Sequence, residues 1–197
     1  VGTYVSSTYL DGAKDVALAA AGGLAFVSVF TSDRLVVISI ADPSSPSYVG
    51  SVATSGSAGL LRGAGAAAVA PLDDRYVWVI ASGGAAPRLT SVDVSTPSAP
   101  VVAGSVSDAI ALLGATGLAL QGSRAFVACT SNRLTVVSIA DALSPRTIGT
   151  LEDATRLAGA SSVVVSGAFA YVTSSTASAF TVVDVSVSSS LRVVGTV

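Results

Sequence analysis

The sequence predicts an all-β fold made of four β-propeller blades, each a sheet of four short strands. Three observations support this prediction: one pattern recurs about every 45 to 50 residues, each copy holds four β-type segments, and the middle segments are apolar on both sides. Four strands in a repeat of that length are the content of one propeller blade. We expect the blades at approximately 6–52, 53–106, 107–151 and 152–197.

The first two segments of each repeat are bounded by glycine, serine and aspartate clusters, which interrupt strands. In the first repeat they are predicted at Asp15–Ala20 and Leu24–Phe30, and the second segment recurs at Arg75–Ala81, Arg124–Cys129 and Ala168–Thr173. These second segments are continuous apolar runs, whereas the strands of a β-sandwich alternate because one face meets water. Radially stacked blades fit the pattern, and a solenoid of stacked sheets is the main alternative.

The third segment follows a basic residue in three of the four repeats. It is predicted at Arg34–Ile40 in the first repeat, and the runs that begin at Arg88, Arg133 and Ala179 correspond to it. A turn rich in serine and proline follows, as in Asp42-Pro43-Ser44-Ser45-Pro46. Such residues favour tight turns, so the chain is expected to reverse there into a fourth strand.

The fourth segment, Ser47–Val52 in the first repeat, contains a Val/Ile-Gly-Thr/Ser step or a close variant. Its glycines are 48, 54, 45 and 46 residues apart, at Gly2, Gly50, Gly104, Gly149 and Gly195. This outer-strand pattern therefore occurs five times, although the first three strands occur only four times. We expect Val1–Val5 to be the outer strand of a preceding blade, and the chain to be part of a larger propeller or an open array that self-associates when expressed alone.

With these runs in view, the sequence resembles the LVIVD-repeat family of β-propellers, which is named after the third strand. The quoted runs cover nearly the whole chain; Asp93 and Asp184 retain the family's aspartate, whereas Ser39 and Ser138 replace it. The resemblance implies a secreted or cell-surface protein of scaffolding or interaction type.

Composition excludes several classes of function. The chain is 51% apolar, with 10 basic and 12 acidic residues, so neither a disordered tail nor a nucleic-acid-binding surface is expected. The longest uncharged apolar stretch, Val16–Phe30, is too short to span a membrane as a helix. Cys129 is the only cysteine and there is no histidine, which excludes an internal disulfide, a cysteine–histidine zinc site and a serine–histidine triad. No phosphate, dinucleotide or calcium loop is present, so no cofactor or metal is expected.

The candidate binding residues form a rim at the turns. Arg34, Arg88 and Arg133 recur just before the third strand and could hold carboxylates or sulfated sugars; the alternative is that each pairs locally, for example with Asp33. Arg62 lies in the long connection of the second repeat and is expected to point outward. The remaining acidic candidates are Glu152-Asp153 and the pair Asp73-Asp74.

These observations favour a non-catalytic structural or protein-interaction module of an extracellular or cell-surface assembly. Its expected partners are other domains of the same chain or copies of itself, with no nucleic acid. A propeller that binds a glycan or another small ligand is the alternative, and a hydrolase that uses loop carboxylates is the third hypothesis.

Overall fold

A computed structural model describes residues 2–54, 59–69, 74–83 and 86–197. Within these ranges the chain forms four separate antiparallel sheets of four strands and no helix. The first sheet contains β1 (Ala13–Leu18), β2 (Leu24–Val29), β3 (Arg34–Ser39) and β4 (Ser47–Ala53). The second contains β5 (Ala64–Val69), β6 (Tyr76–Ala81), β7 (Arg88–Asp93) and β8 (Val101–Ser107).

The third and fourth sheets repeat this arrangement. The third contains β9 (Ala115–Gln121), β10 (Arg124–Cys129), β11 (Arg133–Ser138) and β12 (Arg146–Glu152). The fourth contains β13 (Ala160–Ser166), β14 (Phe169–Ser174), β15 (Ala179–Asp184) and β16 (Arg192–Thr196). In every sheet the strands are hydrogen-bonded in chain order, as in a propeller blade. The all-β fold with four four-stranded units is therefore as the sequence predicts.

A β-bulge recurs between the third and fourth strands of each sheet. In the first sheet Val37 pairs with Gly50 and Ile38 pairs with Tyr48, which leaves Val49 as the extra residue. Equivalent irregularities occur at Ser91/Val92, Val136/Val137 and Val182/Val183. A bulge bends the strand and increases its twist, so the Val-Gly step marks the place where the outer strand bends in every blade.

The sheets pack face to face, and the core is divided into layers between them. Phe26 and Leu35 of the first sheet pack against Val77 and Val79 of the second. Trp78 contacts the third sheet in the next layer. Phe126, Leu134 and Val136 of the third sheet pack against the fourth. Because the two middle sheets are buried on both faces, their central strands are apolar on both sides, which explains the continuous apolar runs.

The N-terminal segment covers the face of the first sheet that no other sheet contacts. Tyr4, Tyr9 and Leu10 pack against the layer that contains Ala25, Val29, Val36 and Ile38. The ring of Tyr9 is stacked on Tyr48 with 4.2 Å between centroids. Among residues 2–12 no strand is formed, and the position of Val1 lies outside the described residues. The first sheet is therefore protected on both sides.

Candidate functional site

The connections between blades all lie at one end of the sheets, together with the turns between second and third strands. This follows from the antiparallel chain order, because successive strands reverse direction. We call it the connector end; it includes residues 6–12, 30–33, 59–63, 108–114, 130–132, 153–159 and 175–178. In each of the first three sheets, the third strand also begins here with its arginine, so the rim residues predicted from the sequence share one end of the molecule.

A Leu-x-Gly motif ends every connection, directly before the inner strand. The motifs are Leu10-Asp11-Gly12, Leu61-Arg62-Gly63, Leu112-Leu113-Gly114 and Leu157-Ala158-Gly159. The last three leucines are fully buried between sheets. All four glycines have a positive φ, between 64° and 77°, a conformation that favours glycine. The spacing of this motif follows the repeat, so the motif could have been found from the sequence, although it is not among the residues predicted above.

Asp153 and Glu152, two of the predicted rim residues, serve local structure. The Asp153 carboxylate accepts hydrogen bonds from the backbone N–H groups of Thr155 and Arg156 and from Arg156 Nε at 2.8 Å. These bonds, led by that of the Arg156 backbone, lower the pKa of Asp153. Glu152 forms an ion pair with Arg133 at 2.7 Å, and Arg133 also donates to the carbonyl oxygen of Ser131.

Arg34, Arg88 and Asp33 are also held within the fold. The Arg34 guanidinium lies 5.5 Å from the centroid of the Tyr9 ring, a cation–π contact. Arg88 is half-buried at the start of β7. Asp33 does not pair with the adjacent Arg34; its carboxylate accepts the Gly63 N–H of the second repeat at 2.8 Å. The three arginines thus recur at one structural position, but Arg34 and Arg133 have local partners.

Arg62 differs from the other candidates because it is exposed beside a groove between the first two blades. The groove has a volume of about 420 Å³ and is lined by Phe30, Thr31, Asp33, Arg62, Gly63 and Gly83. No hydrogen bond or ion pair from the described residues holds the Arg62 guanidinium, whereas Asp33 is held in place by Gly63. The groove therefore combines an exposed cation, a hydroxyl group and the half-exposed ring of Phe30.

Gly83 lines this groove next to Arg62. In every repeat, one residue donates its N–H to the carbonyl oxygen of the motif glycine. The residue that follows it is Gly83 in the second repeat, and Thr31, Ser131 and Thr176 in the others. Gly83 likewise lies directly against its motif glycine, Gly63, and it donates its N–H to the Arg62 carbonyl oxygen at 2.9 Å. A Cβ at Gly83 would lie only 3.0 Å from Arg62 Cγ, so the glycine allows Arg62 to lie this close. A comparison of the four repeats at this position could have found the site from the sequence.

Other chemistry-bearing groups are arranged for structure. The Cys129 thiol is fully buried, and burial raises its pKa to about 12, so it is a poor nucleophile. Within the described ranges no three acidic, cysteine or histidine side chains are grouped as metal ligands would be. Asp74 accepts the N–H groups of Ala20 and Ala21 across the first blade junction. Its predicted partner Asp73 lies outside the described residues.

Comparison with family models identifies the repeat. The LVIVD repeat model matches residues 12–54, 80–108, 114–153 and 159–197. The chain belongs to the LVIVD-repeat family. Comparison with curated protein sequences finds no match. In the described part of the chain, no helix is long and apolar enough to cross a membrane.

Solved β-propellers share the fold of this LVIVD chain. A protein from Lactobacillus plantarum superposes with a TM-score of 0.78 and 19% identity, over 94% of this chain and 57% of the other. The periplasmic gluconolactonase of Pseudomonas aeruginosa gives 0.73 and 17%, over 95% and 57%. A putative 6-phosphogluconolactonase from Bacteroides uniformis gives 0.74 and 12%, over 92% and 53%. The LVIVD chain thus spans a little over half the length of these propellers.

These similarities correct one expectation from the sequence. The composition and the repeat favoured a non-catalytic structural or protein-interaction module, and that assignment is wrong because propellers of the same architecture include a gluconolactonase and a putative 6-phosphogluconolactonase. At these identities the similarity shows the fold alone. Some propellers of this fold are periplasmic, as the Pseudomonas protein is.

Proposed function

We propose that the groove between the first two blades binds a small hydroxylated carboxylic acid, such as a sugar acid, or its lactone. The observation that carries this proposal is the exposed Arg62 in the groove that Phe30, Thr31 and Asp33 also line. Small-molecule sites combine an apolar wall with a few polar groups that fix the orientation of the ligand. Phe30 supplies such a wall, and Thr31 supplies a hydroxyl group.

The two charged groups of the groove suit different parts of a hydroxylated acid. A guanidinium can donate two parallel hydrogen bonds to one carboxylate. The Asp33 carboxylate already accepts the Gly63 N–H at 2.8 Å, and its other acceptor sites can bind ligand hydroxyl groups. The substrate class is suggested by the lactonases that share this fold.

The remaining expectations about function are proposals as well. We propose that this chain is extracellular or on the cell surface, and that its protein contacts are with further domains of the same chain or with copies of itself. A glycan that carries an acidic sugar would offer the groove the same carboxylate. Nucleic acid is not proposed, because the net charge is −2.

Binding to the whole chain can be measured by isothermal calorimetry with gluconate, glucono-lactone and neutral glucose. We expect gluconate to bind and Arg62→Gln to weaken it at least about tenfold, as for a lost charged hydrogen bond. Gly83→Thr should also weaken binding, because a Cβ there lies only 3.0 Å from Arg62 Cγ and pushes that side chain.

Arg146→Gln is the matched control, since Arg146 is exposed on β12 away from the groove. Equal binding by all three variants, or no binding of gluconate by the unaltered chain, would overturn the proposal. Release of acid from glucono-lactone above the uncatalysed rate, measured in a pH-stat, would show that the chain is an enzyme after all.

A further inference from the structure

The fourth sheet leaves one face uncovered, in contrast to the first. Six apolar side chains lie on this free face: Val164, Phe169, Tyr171, Phe180, Val182 and Val194. Phe180 is 43% exposed and Val164 is 62% exposed. Tyr171 and Phe180 are stacked on each other at 6.0 Å.

The third sheet shows what covers such a face. Phe126, Leu134 and Val136 occupy the positions of Tyr171, Phe180 and Val182, and all three are completely buried against the fourth sheet. The same positions are thus covered by a neighbouring blade in one sheet and face outward in the next. The free face is consequently a blade-packing surface in shape and in composition, rather than an ordinary solvated face.

The outer-strand glycines identify a second half of the same surface. Gly2, Gly50, Gly104 and Gly149 each lie against the turn that follows the third strand of the next blade. The turn residues are Pro43-Ser44, Pro97-Ser98, Ala142-Leu143 and Ser188-Ser189. At every one of these positions a Cβ would overlap turn backbone. Gly195 is the fifth member, and no atom lies within 4 Å of its Cβ position.

We infer that the free face of the fourth sheet is a docking surface for a further LVIVD-type blade, whose turn after the third strand seats on Gly195. The inference is independent of the ligand groove. Its basis is the apolar face and the open space next to Gly195, which lie side by side on one sheet. A matching blade supplies both an apolar face and a backbone turn.

The first blade of a second copy does not fit this surface. Its turn at Pro43-Ser44 is already in contact with Gly2, and its outer face is covered by Tyr4, Tyr9 and Leu10. To dock, it would have to release that segment. The occupant is therefore a blade whose turn is free.

Thiol protection tests this inference, because the chain's only cysteine is buried. Phe180→Cys is introduced into two chains. One is the full chain, and the other is an extended chain in which a second copy of residues 152–197 follows Val197. The Phe180 of the added copy is left unchanged. We expect a maleimide to label the extended chain at least about tenfold more slowly, because the equivalent Leu134 is fully buried.

Two further variants make the result specific. Gly195→Val in the extended chain should restore fast labelling, because the valine side chain occupies the space in which the turn of the added blade would lie. In the original chain, Gly195→Val should change the labelling rate little. Val101→Cys, at an exposed position on β8, should react at the same rate in both chains.

Equal labelling of Phe180→Cys in both chains would overturn the inference. Protection that appears in the original chain and grows with its concentration would overturn it too, because a second copy would then be the occupant.

Discussion

Single buried aromatic residues carry much of the stability of each layer. Trp78 and Phe126 are 1% and 0% exposed, in the layers on either side of the third sheet. We expect Trp78→Ala or Phe126→Ala to lower the free energy of unfolding by about 3 to 5 kcal/mol, because each leaves a cavity in a well-packed layer. Urea unfolding measures this loss.

Phe180→Ala is the matched control, since that ring is 43% exposed and faces no sheet. It should cost about 1 kcal/mol or less. Equal losses for the three variants would mean that the layers do not hold the blades together.

Two aspartates at the ends of third strands link stability to pH. Hydrogen bonds from Arg75 and Ser95 lower the pKa of Asp93 to about 2. Those from Ser186 and Arg192 lower the pKa of Asp184 to about 2. Because the folded pKa lies below the ordinary 3.8, the stabilisation is present above about pH 4 and is lost as the pH falls toward 2.

Asp93→Asn and Asp184→Asn should therefore flatten the fall of the melting temperature between about pH 4 and 2. Thermal unfolding in a pH series checks this. Val101→Thr, an exposed uncharged change on β8, should leave the slope as it is. A double variant with an unaltered slope would show that these carboxylates do not contribute.

At the scale of elements, the Leu-x-Gly motif fixes the path from one blade to the next. Gly114 has φ of 71°, and a Cβ there would overlap the Thr130 hydroxyl oxygen. We expect Gly114→Ala to destabilise the chain by clearly more than Gly122→Ala, which has φ of 56° but open space around it. Placing alanine at a positive φ costs about 1 kcal/mol at either position. The difference in stability between the two variants therefore measures the close contact at Gly114. Similar melting temperatures would show that this contact relaxes freely.

The strands were predictable from the sequence because strands that are buried on both faces, such as β6 and β10, consist of continuous apolar runs. Their bounds were less so. The first strand was predicted at Asp15–Ala20 but is observed at Ala13–Leu18, because Ala19 and Gly22 form the hairpin turn to Leu24. Alanine is compatible with strand and turn alike, so composition could not separate them.

The candidate site was predictable only in part. Arg62 was expected to point outward from its long connection, and it is exposed. The groove beside it depends on the close approach of Gly83 to Arg62 and on the hydrogen bond from the Gly63 N–H to the Asp33 carboxylate of another blade. Such contacts are set by how two blades pack, which a single repeat does not encode. Whether the rim residues bind a ligand stays a prediction, as do the blade bounds.

At the scale of the whole molecule, residues 2–12 cover the face of the first sheet that no other described sheet contacts. The stacking of Tyr9 on Tyr48 and under Arg34 covers apolar surface. We expect deletion of residues 1–10 to lower the melting temperature and to increase binding of an apolar dye, because the outer face of the first sheet becomes exposed. Deleting Val197 alone is the control. An unchanged dye signal would show that this face stays covered by other means.

The covered first blade and the open fourth blade give the molecule a direction, and this has a consequence for its synthesis. Residues 2–12 leave the ribosome before the first sheet does, so the cover of that sheet is available as soon as it forms. Every later blade then meets one finished apolar face, left by the blade before it. A nascent chain that folds in this order exposes a single uncovered apolar sheet face at any moment, however many blades it contains.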